Sequence, residues 1–245
     1  MPTLSVIIPT YNEIAYIEDA IKSVGFADEI IVIDSFSTDG TKEKAIALGC
    51  TVFERKFDNF SNQKNYVIPL AKGNWILFID ADERLTQRLK IEILKAIKNP
   101  IYNAYKIKVP HFYMNRFLYR LENKVVRLVK NENIYFEGEV HERLIHSGKL
   151  GVLNNFMIHY TYKGLFQYIN KKDSYAWFQA KMAKEKNKKP TFFLLFFKPL
   201  YRFFYTYIIK RGFLDGIPGL TVAATDSYGV LSRYVKMMLL EKGLK

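Results

Sequence analysis

The sequence predicts an α/β fold, a mostly parallel sheet with helices on both faces, followed by a helical, basic C-terminal region. Three observations carry that expectation. Apolar runs that read as buried strands alternate with stretches of helical spacing over the first hundred residues. Polar clusters close several of those runs. The charge is divided unevenly: residues 1–162 hold 21 Lys and Arg against 19 Asp and Glu, residues 163–245 hold 16 against 5.

The elements follow in order. Leu4–Ile8 is a buried strand stopped at Pro9. Ile14, Ile17, Ile21 and Val24 share one face of a helix over Ile14–Val24. Glu29–Ile33 is the next strand and ends at Asp34; Thr38–Leu48 is a helix stopped by Gly49. Thr51–Glu54 is a short strand, Asn62–Ala71 a helix ended by Gly73, and Trp75–Ile79 a strand ending at Asp80. Thr86 caps a helix that runs to Lys98. Short β-like runs follow at Tyr105–Val109, Val125–Val129 and Phe156–Tyr160, and helices dominate from Gly164. We place a boundary near 163, giving an α/β domain over 1–162 and a helical region over 163–245.

The bulk composition narrows the class. Hydrophobic residues make up 49% of the 245, enough to bury a core. The single cysteine, Cys50, excludes an internal disulfide and a cysteine-based zinc site, and fits a reducing, cytoplasmic setting. No secretory signal is read at the N-terminus. Thr191–Phe197 and Phe203–Ile209, seven residues each and separated by Lys198 and Arg202, are too short to cross a bilayer. A basic, aromatic tail beside a near-neutral α/β domain points to an anionic membrane surface rather than to nucleic acid.

In open parallel sheets, ligands bind beyond the C-terminal strand ends. Three polar clusters sit there: Thr10–Glu13, Asp34–Gly40 and Asp80–Glu83. Asp80-Ala81-Asp82 sets two carboxylates one residue apart, suited to a shared Mg²⁺ or Mn²⁺ and a nucleotide. A polar loop with a capping aspartate is the plainer account of such a triplet. A nucleotidyltransferase would more typically carry a glycine-rich loop after the first strand; here Thr10-Tyr-Asn-Glu13 has no glycine.

The segments Ser5-Val-Ile-Ile-Pro-Thr-Tyr-Asn-Glu13, Asp34-Ser-Phe-Ser-Thr-Asp-Gly-Thr41, Asn62-Gln-Lys-Asn65 and Trp75-Ile-Leu-Phe-Ile-Asp-Ala-Asp-Glu83 together resemble glycosyltransferase family 2, the inverting enzymes of the GT-A fold. Glu137-Gly-Glu-Val-His-Glu142 and the stretch from Tyr207 to Gly219 are similar to the subgroup containing lipopolysaccharide core β-1,4-glucosyltransferases. The resemblance implies that Thr10, Glu13, Asp34 and Lys64 contact uridine or its phosphates, that Asp80 lies near the ribose, and that Asp82 binds a divalent cation. It also implies a UDP-sugar donor, with UDP-glucose favoured, and a lipid-linked or core saccharide acceptor.

Inverting transfer needs one general base for the acceptor hydroxyl. Glu137, Glu139, His141 and Glu142 are candidates. Glu142 is favoured by the resemblance, and His141 points to the opposite face of an extended stretch. His159 is a second expected metal ligand or a structural histidine. Arg127 and Arg143 are candidates for an anionic acceptor, or for structural ion pairs.

Overall fold

The computed structural model describes residues 2–138, 142–160 and 164–244. The chain divides into two compact units: residues 1–109 with 123–159, and residues 110–122 with 160–245. The second unit thus takes in a short insertion from the first half of the chain, Pro110–Glu122, besides everything after His159.

In the first unit β1 (Leu4–Thr10), α1 (Ile17–Ser23), β2 (Glu29–Asp34), α2 (Thr41–Ala47), β3 (Thr51–Glu54), α3 (Phe60–Val67), β4 (Trp75–Phe78) and, after a short β5 (Glu83–Leu85) that the sequence reading does not include, α4 (Gln87–Lys98) follow the alternation expected from the sequence. Then come β6 (Ala104–Tyr113), β7 (Arg116–Lys130), β8 (Tyr135–Glu137), β9 (Arg143–Ile145) and β10 (Leu150–His159). Eight strands form one sheet in the order β3-β2-β1-β4-β7-β6-β10-β5, and β8 pairs with β9. β3, β2, β1 and β4 are parallel, whereas β7 runs antiparallel to β4 and β5 antiparallel to β10.

Period-two packing places helices on both faces. Val6, Ile8, Leu77 and Ile79 face a core completed by Ile17 and Ile21 of α1 and Leu89, Ile93 and Ile97 of α4. Ile7, Ile76 and Phe78 face the opposite core, with Val67 of α3. Thr86 does cap α4: its side chain accepts from the Leu89 N–H at 3.2 Å. Asn59 caps α3 in the same way.

Two features fix the strands that carry the site. Gly73 lies so close to β1 that a Cβ there would meet the Ser5 backbone nitrogen at 2.5 Å, so only glycine fits before β4. β10 shifts register between Val152 and Phe156. The Asn154 and Asn155 N–H groups in that bulge donate to Glu92 of α4 at 2.7 and 2.9 Å, which satisfies donors the ladder loses.

The second unit is helical: α5 (Leu165–Glu185), α6 (Phe192–Phe204) and α7 (Ile217–Glu241). α5 and α7 are joined by buried and half-buried polar pairs. Asp173 accepts from Ser232 and Lys236, and Asp226 from Tyr168 and Lys172. α6 passes through Pro199 and continues as a π turn over Tyr205–Ile209. The two apolar runs separated in the sequence are therefore one helical stretch. Phe192–Ile209 is 18 residues, long and apolar enough to cross a membrane by length and composition, and only 11% of it is buried. This continuity corrects the expectation of two short, separate runs: Lys198 and Arg202 interrupt the hydropathy without interrupting the helix.

Candidate active site

The ends of β1 and β2 are tied together by their loops. Thr10 and Asp34 are register partners, both buried. Asp34 accepts from the Ser37 N–H at 2.7 Å and from its hydroxyl. Asn12, in the left-handed region at φ 53, donates its N–H to Ser37 Oγ and accepts from the Thr38 N–H, both at 2.9 Å. The Glu13 N–H donates to Thr41 Oγ1 at 2.9 Å. Register and these bonds bring Thr10, Glu13 and Asp34 together at the ends of β1 and β2. The Thr10 hydroxyl is buried with no hydrogen-bond partner among the described residues. A buried hydroxyl left unmatched is costly, so this position suits a polar ligand.

Beyond β4 the carboxylates cluster. Asp80 takes Arg127 Nη2 at 2.7 Å, and Glu83 takes the same nitrogen at 2.7 Å. The Asp80 N–H donates to Glu83 Oε2 at 2.8 Å, closing the Asp80–Glu83 turn. Burial alone would raise the Asp80 carboxyl, but the positive charges of Arg127 and Lys64 outweigh it and hold it well below the usual carboxylate range. Glu83, almost fully enclosed, is pushed up by burial and by its neighbour Asp80. β5 sets Glu83 directly opposite His159 of β10.

His159 Nε2 lies 2.9 Å from Asp82 Oδ2. Burial opposes protonation of the ring, yet Asp82 and the neighbouring carboxylates raise its affinity for a proton above that of a free histidine. Asp82 is 36% exposed, so its carboxylate can be reached by a ligand. No group of three or more metal-ligating side chains forms among the described residues. A hard divalent cation on a nucleotide needs only one or two protein donors, because phosphate oxygens and water complete its shell. The half-exposed Asp82 carboxylate with a neighbouring imidazole fits that requirement, whereas Asp80 is already neutralised by Arg127.

Lys64 occupies the third corner. Its side chain is 3% exposed, and Nζ lies 4.9 Å from the Phe136 ring centre and 3.0 Å from Glu142 Oε1. α3 also anchors the segment leading to Glu142. Asn65 exchanges two hydrogen bonds with the Phe136 backbone at 2.8 and 2.7 Å, and the Ser61 hydroxyl donates to the Gly138 carbonyl. The motif Asn62-Gln-Lys-Asn65 thus serves two purposes on one helix turn: a buried cation and a clamp on β8.

Of the sequence candidates, Thr10, Asp34, Lys64, Asp80, Asp82, Glu142 and His159 lie on these elements in the first unit. Arg127, offered for an anionic acceptor, is instead enclosed between Asp80 and Glu83, the ion-pair alternative weighed for it. Arg143 is exposed on β9, opposite the exposed Glu137. His141 and Glu139 lie outside the described residues. The partner role of Glu83 is not readable from the sequence, because it depends on His159 of β10, 76 positions away, and on the distant Arg127.

A sheet whose parallel strands end in carboxylates and small hydroxyls, with antiparallel strands beyond β4, has the GT-A architecture of nucleotide-sugar enzymes. Residues 5–154 match glycosyl transferase family 2, and the chain belongs to that family. It is 32% identical to an uncharacterized glycosyltransferase of Rickettsia bellii (strain RML369-C), over 96% of this chain and 85% of the relative. It is 27% identical to the lipopolysaccharide core biosynthesis glycosyltransferase LpsC of Rhizobium meliloti (strain 1021), over 91% and 87%. Among solved structures, a mannosyltransferase from Pyrobaculum calidifontis, determined with GDP-Man and Mn²⁺, shares the fold with a TM-score of 0.62 at 16% identity, over 97% and 87% of the two chains. The protein is a glycosyltransferase.

Proposed function

We propose that the protein transfers a hexose, with inversion, from a nucleoside diphosphate donor to a lipid-linked or lipopolysaccharide-core saccharide. UDP-glucose is the favoured donor. The observation that carries this reading is the pairing of Lys64 with Glu142, which couples a donor-side cation to an acceptor-side carboxylate over 3.0 Å. The core-biosynthesis relative supports the acceptor class.

In the proposed reaction the acceptor oxygen attacks the anomeric carbon as the bond to the diphosphate breaks. Glu142 takes the proton from the attacking hydroxyl. In the donor-free protein Lys64 neutralises that carboxylate. A bound diphosphate competes for the Lys64 ammonium and frees Glu142 to act as the base. Thr10, Glu13 and Asp34 bind the nucleoside, and Arg127 holds Asp80 ionised toward the ribose. Asp82 and His159 would hold a divalent cation, Mg²⁺ or Mn²⁺, whose chemistry is to neutralise charge on the departing diphosphate. The Mn²⁺ bound with GDP-Man in the mannosyltransferase of the same fold supports that assignment. Arg143, exposed, remains the candidate for an anionic acceptor.

The second unit is read as a peripheral anchor on the inner face of the cytoplasmic membrane. Phe192, Phe193, Phe196 and Phe197 are all at least half exposed, and Lys198 on the same helix and Arg211 just after it are exposed as well. Such a helix lies in the interface, with rings at the headgroup boundary and cations on anionic lipid. Arg202 differs from the others, because its Nε lies 3.9 Å from Asp226.

A donor screen by nucleotide release, followed by mass spectrometry of the products formed on envelope glycolipids, tests the function. UDP-glucose turnover with a core saccharide acceptor is the expected result. Turnover only with a capsule or other envelope intermediate would move the enzyme to that pathway. Co-sedimentation with anionic vesicles, weakened by salt and by replacing Lys198, Arg202, Lys210 and Arg211 with Gln, tests the anchor. Equal partitioning of wild type and variant would remove the membrane reading.

A further inference from the structure

Within the second unit a cavity of about 370 Å³ opens between α5, α6 and α7. Its wall is apolar: Met182 and Ala183 from α5, Leu194 from α6, Tyr234 and Met237 from α7. Its rim is cationic, with Lys186, Lys188, Lys189 and Arg233, and no carboxylate among the described residues lines it; Glu241 lines the adjoining hollow that shares Lys188 and Lys189. No ion pair is formed by these four side chains among the described residues.

The rim is built on a fixed backbone rather than on a loose linker. Asn187 is left-handed at φ 52. The Lys188 N–H donates to the Ala183 carbonyl and the Asn187 N–H to the Lys184 carbonyl, both at 2.9 Å. That pair of bonds is the Schellman closure of a helix C-terminus. It projects three lysines within four positions from one locked turn. Arg233 is held from the opposite side. Its Nη1 donates to Gln179 Oε1 at 3.3 Å, and its guanidinium stacks 4.8 Å from the Tyr234 ring centre.

Four like charges around one concavity repel one another, and a multivalent acceptor of hydrogen bonds relieves that repulsion. A phosphate group provides several oxygens for the arginine fork and the lysine ammoniums at once. The apolar wall would cover carbon attached to that phosphate, which inorganic phosphate lacks. α6 contributes Leu194 to the cavity and exposes Phe193 and Phe197, whose tilted rings have centres 4.4 Å apart, on the same helix.

We propose that this cavity binds the phosphate of an anionic lipid headgroup. The proposal rests on the membrane reading of α6 and adds to it a specific headgroup site. It gives the anchor a chemical preference that aromatic insertion and diffuse charge do not provide.

The test uses the full chain and phosphatidylcholine vesicles carrying either phosphatidylglycerol or oleate at matched surface charge. Wild type is expected to bind the phosphatidylglycerol vesicles several-fold more tightly than the oleate vesicles. The variant Lys186→Gln/Lys188→Gln/Lys189→Gln is expected to lose on the order of 10²-fold in affinity for phosphatidylglycerol vesicles and to prefer neither vesicle. Arg233→Gln is expected to lose the preference as well, and covers the case in which the triple variant melts abnormally. Equal binding of wild type to both vesicles, or wild-type affinity in both variants, overturns the proposal. Phe193→Ser/Phe197→Ser separates it from the membrane reading: weaker binding to both vesicles with the preference intact supports both. If wild type sediments with neither vesicle, the membrane reading fails. A rise in its melting temperature with millimolar inorganic phosphate, absent in the triple variant, would then assign the cavity to a soluble phosphate and overturn the lipid source.

Discussion

Both units bury carboxylates among cations, but in opposite ratios. In the first, Asp80 and Glu83 share the single guanidinium of Arg127. In the second, Asp226 alone faces both Lys172, at 2.6 Å, and Arg202, at 3.9 Å. The excess sign left at each surface follows from these local ratios. Around β4 the carboxylate with no Arg or Lys partner among the described residues is Asp82, paired only with the His159 imidazole and suited to a cation and its nucleotide. In the helical unit the unneutralised groups are lysines, suited to anions. The net charge of +13 hides this division, because the near-neutral first unit holds a locally acidic site. The ratio inside a cluster, rather than the charge of the whole chain, decides which partner each unit attracts.

Removing the surplus acid of the first unit is expected to have the largest effect. Asp82→Ala should reduce sugar transfer to background while the protein stays folded, and EDTA should do the same to wild type until Mg²⁺ or Mn²⁺ is returned. Undiminished transfer in EDTA would break the comparison, since the acidic excess would then serve no cation. Next comes the base. Glu142→Gln should lower kcat by about 10²–10⁴ with little change in the donor KM. Lys64→Met should chiefly raise the donor KM. An inactive Glu139→Gln beside an active Glu142→Gln would reassign the base.

These sites were legible in the sequence to different depths. Buried strands announce themselves because an apolar run such as Trp75–Phe78 has few other uses, and the polar residue that stops it marks the sheet edge. Thr86 was readable as a cap because capping is local, a side chain reaching three residues ahead. The Lys64–Glu142 pair spans 78 positions and the Arg127–Asp80 pair 47, so no spacing rule reveals either. β7 was half seen: Val125–Val129 is apolar, but Arg116–Lys124 is mostly polar and takes its strand form from the hairpin with β6. That hairpin turns at Met114 and Asn115, both left-handed at φ 49 and 57. The helix through Lys198, Pro199 and Arg202 was hidden for the converse reason. Its local signals are breaks, and packing on α7, including the Ser227 hydroxyl bonded to the Pro199 carbonyl at 2.8 Å, overrides them.

The cluster ratio also sets stability. Arg127→Met leaves the enclosed Glu83, and beside it the part-exposed Asp80, without their shared cation, and breaking a buried pair from one side costs about 3–5 kcal/mol. Denaturant unfolding measures it. Adding Glu83→Gln to Arg127→Met should recover part of the loss, because one of the stranded charges is gone. No recovery would mean that Arg127 acts through packing alone.

The smallest effect belongs to the opposite ratio. Asp226 is the minority charge of its cluster, so Asp226→Asn leaves Lys172 and Arg202 unpaired rather than stranding an acid. Both cations are partly exposed, 25% and 43%, and water compensates them. The expected cost is therefore only about 1–2 kcal/mol. Its pH dependence has a definite sign. Burial would raise the Asp226 carboxyl, but Lys172, Arg202 and the Tyr168 hydroxyl together hold it below its ordinary value. A group depressed by folding contributes stability that is complete above its unfolded value, near 4, and disappears as the pH falls through its lower folded value. Urea unfolding of wild type and Asp226→Asn should therefore differ by the full amount from neutral pH down to about 5. The difference should begin to shrink below about 4 and vanish only once the pH lies under the depressed folded value of Asp226, where both carry an uncharged side chain at this position. A difference that stays constant on acidification would show that Asp226 acts through its hydrogen bond to Tyr168 rather than through its charge, and the symmetry between the two clusters would fail.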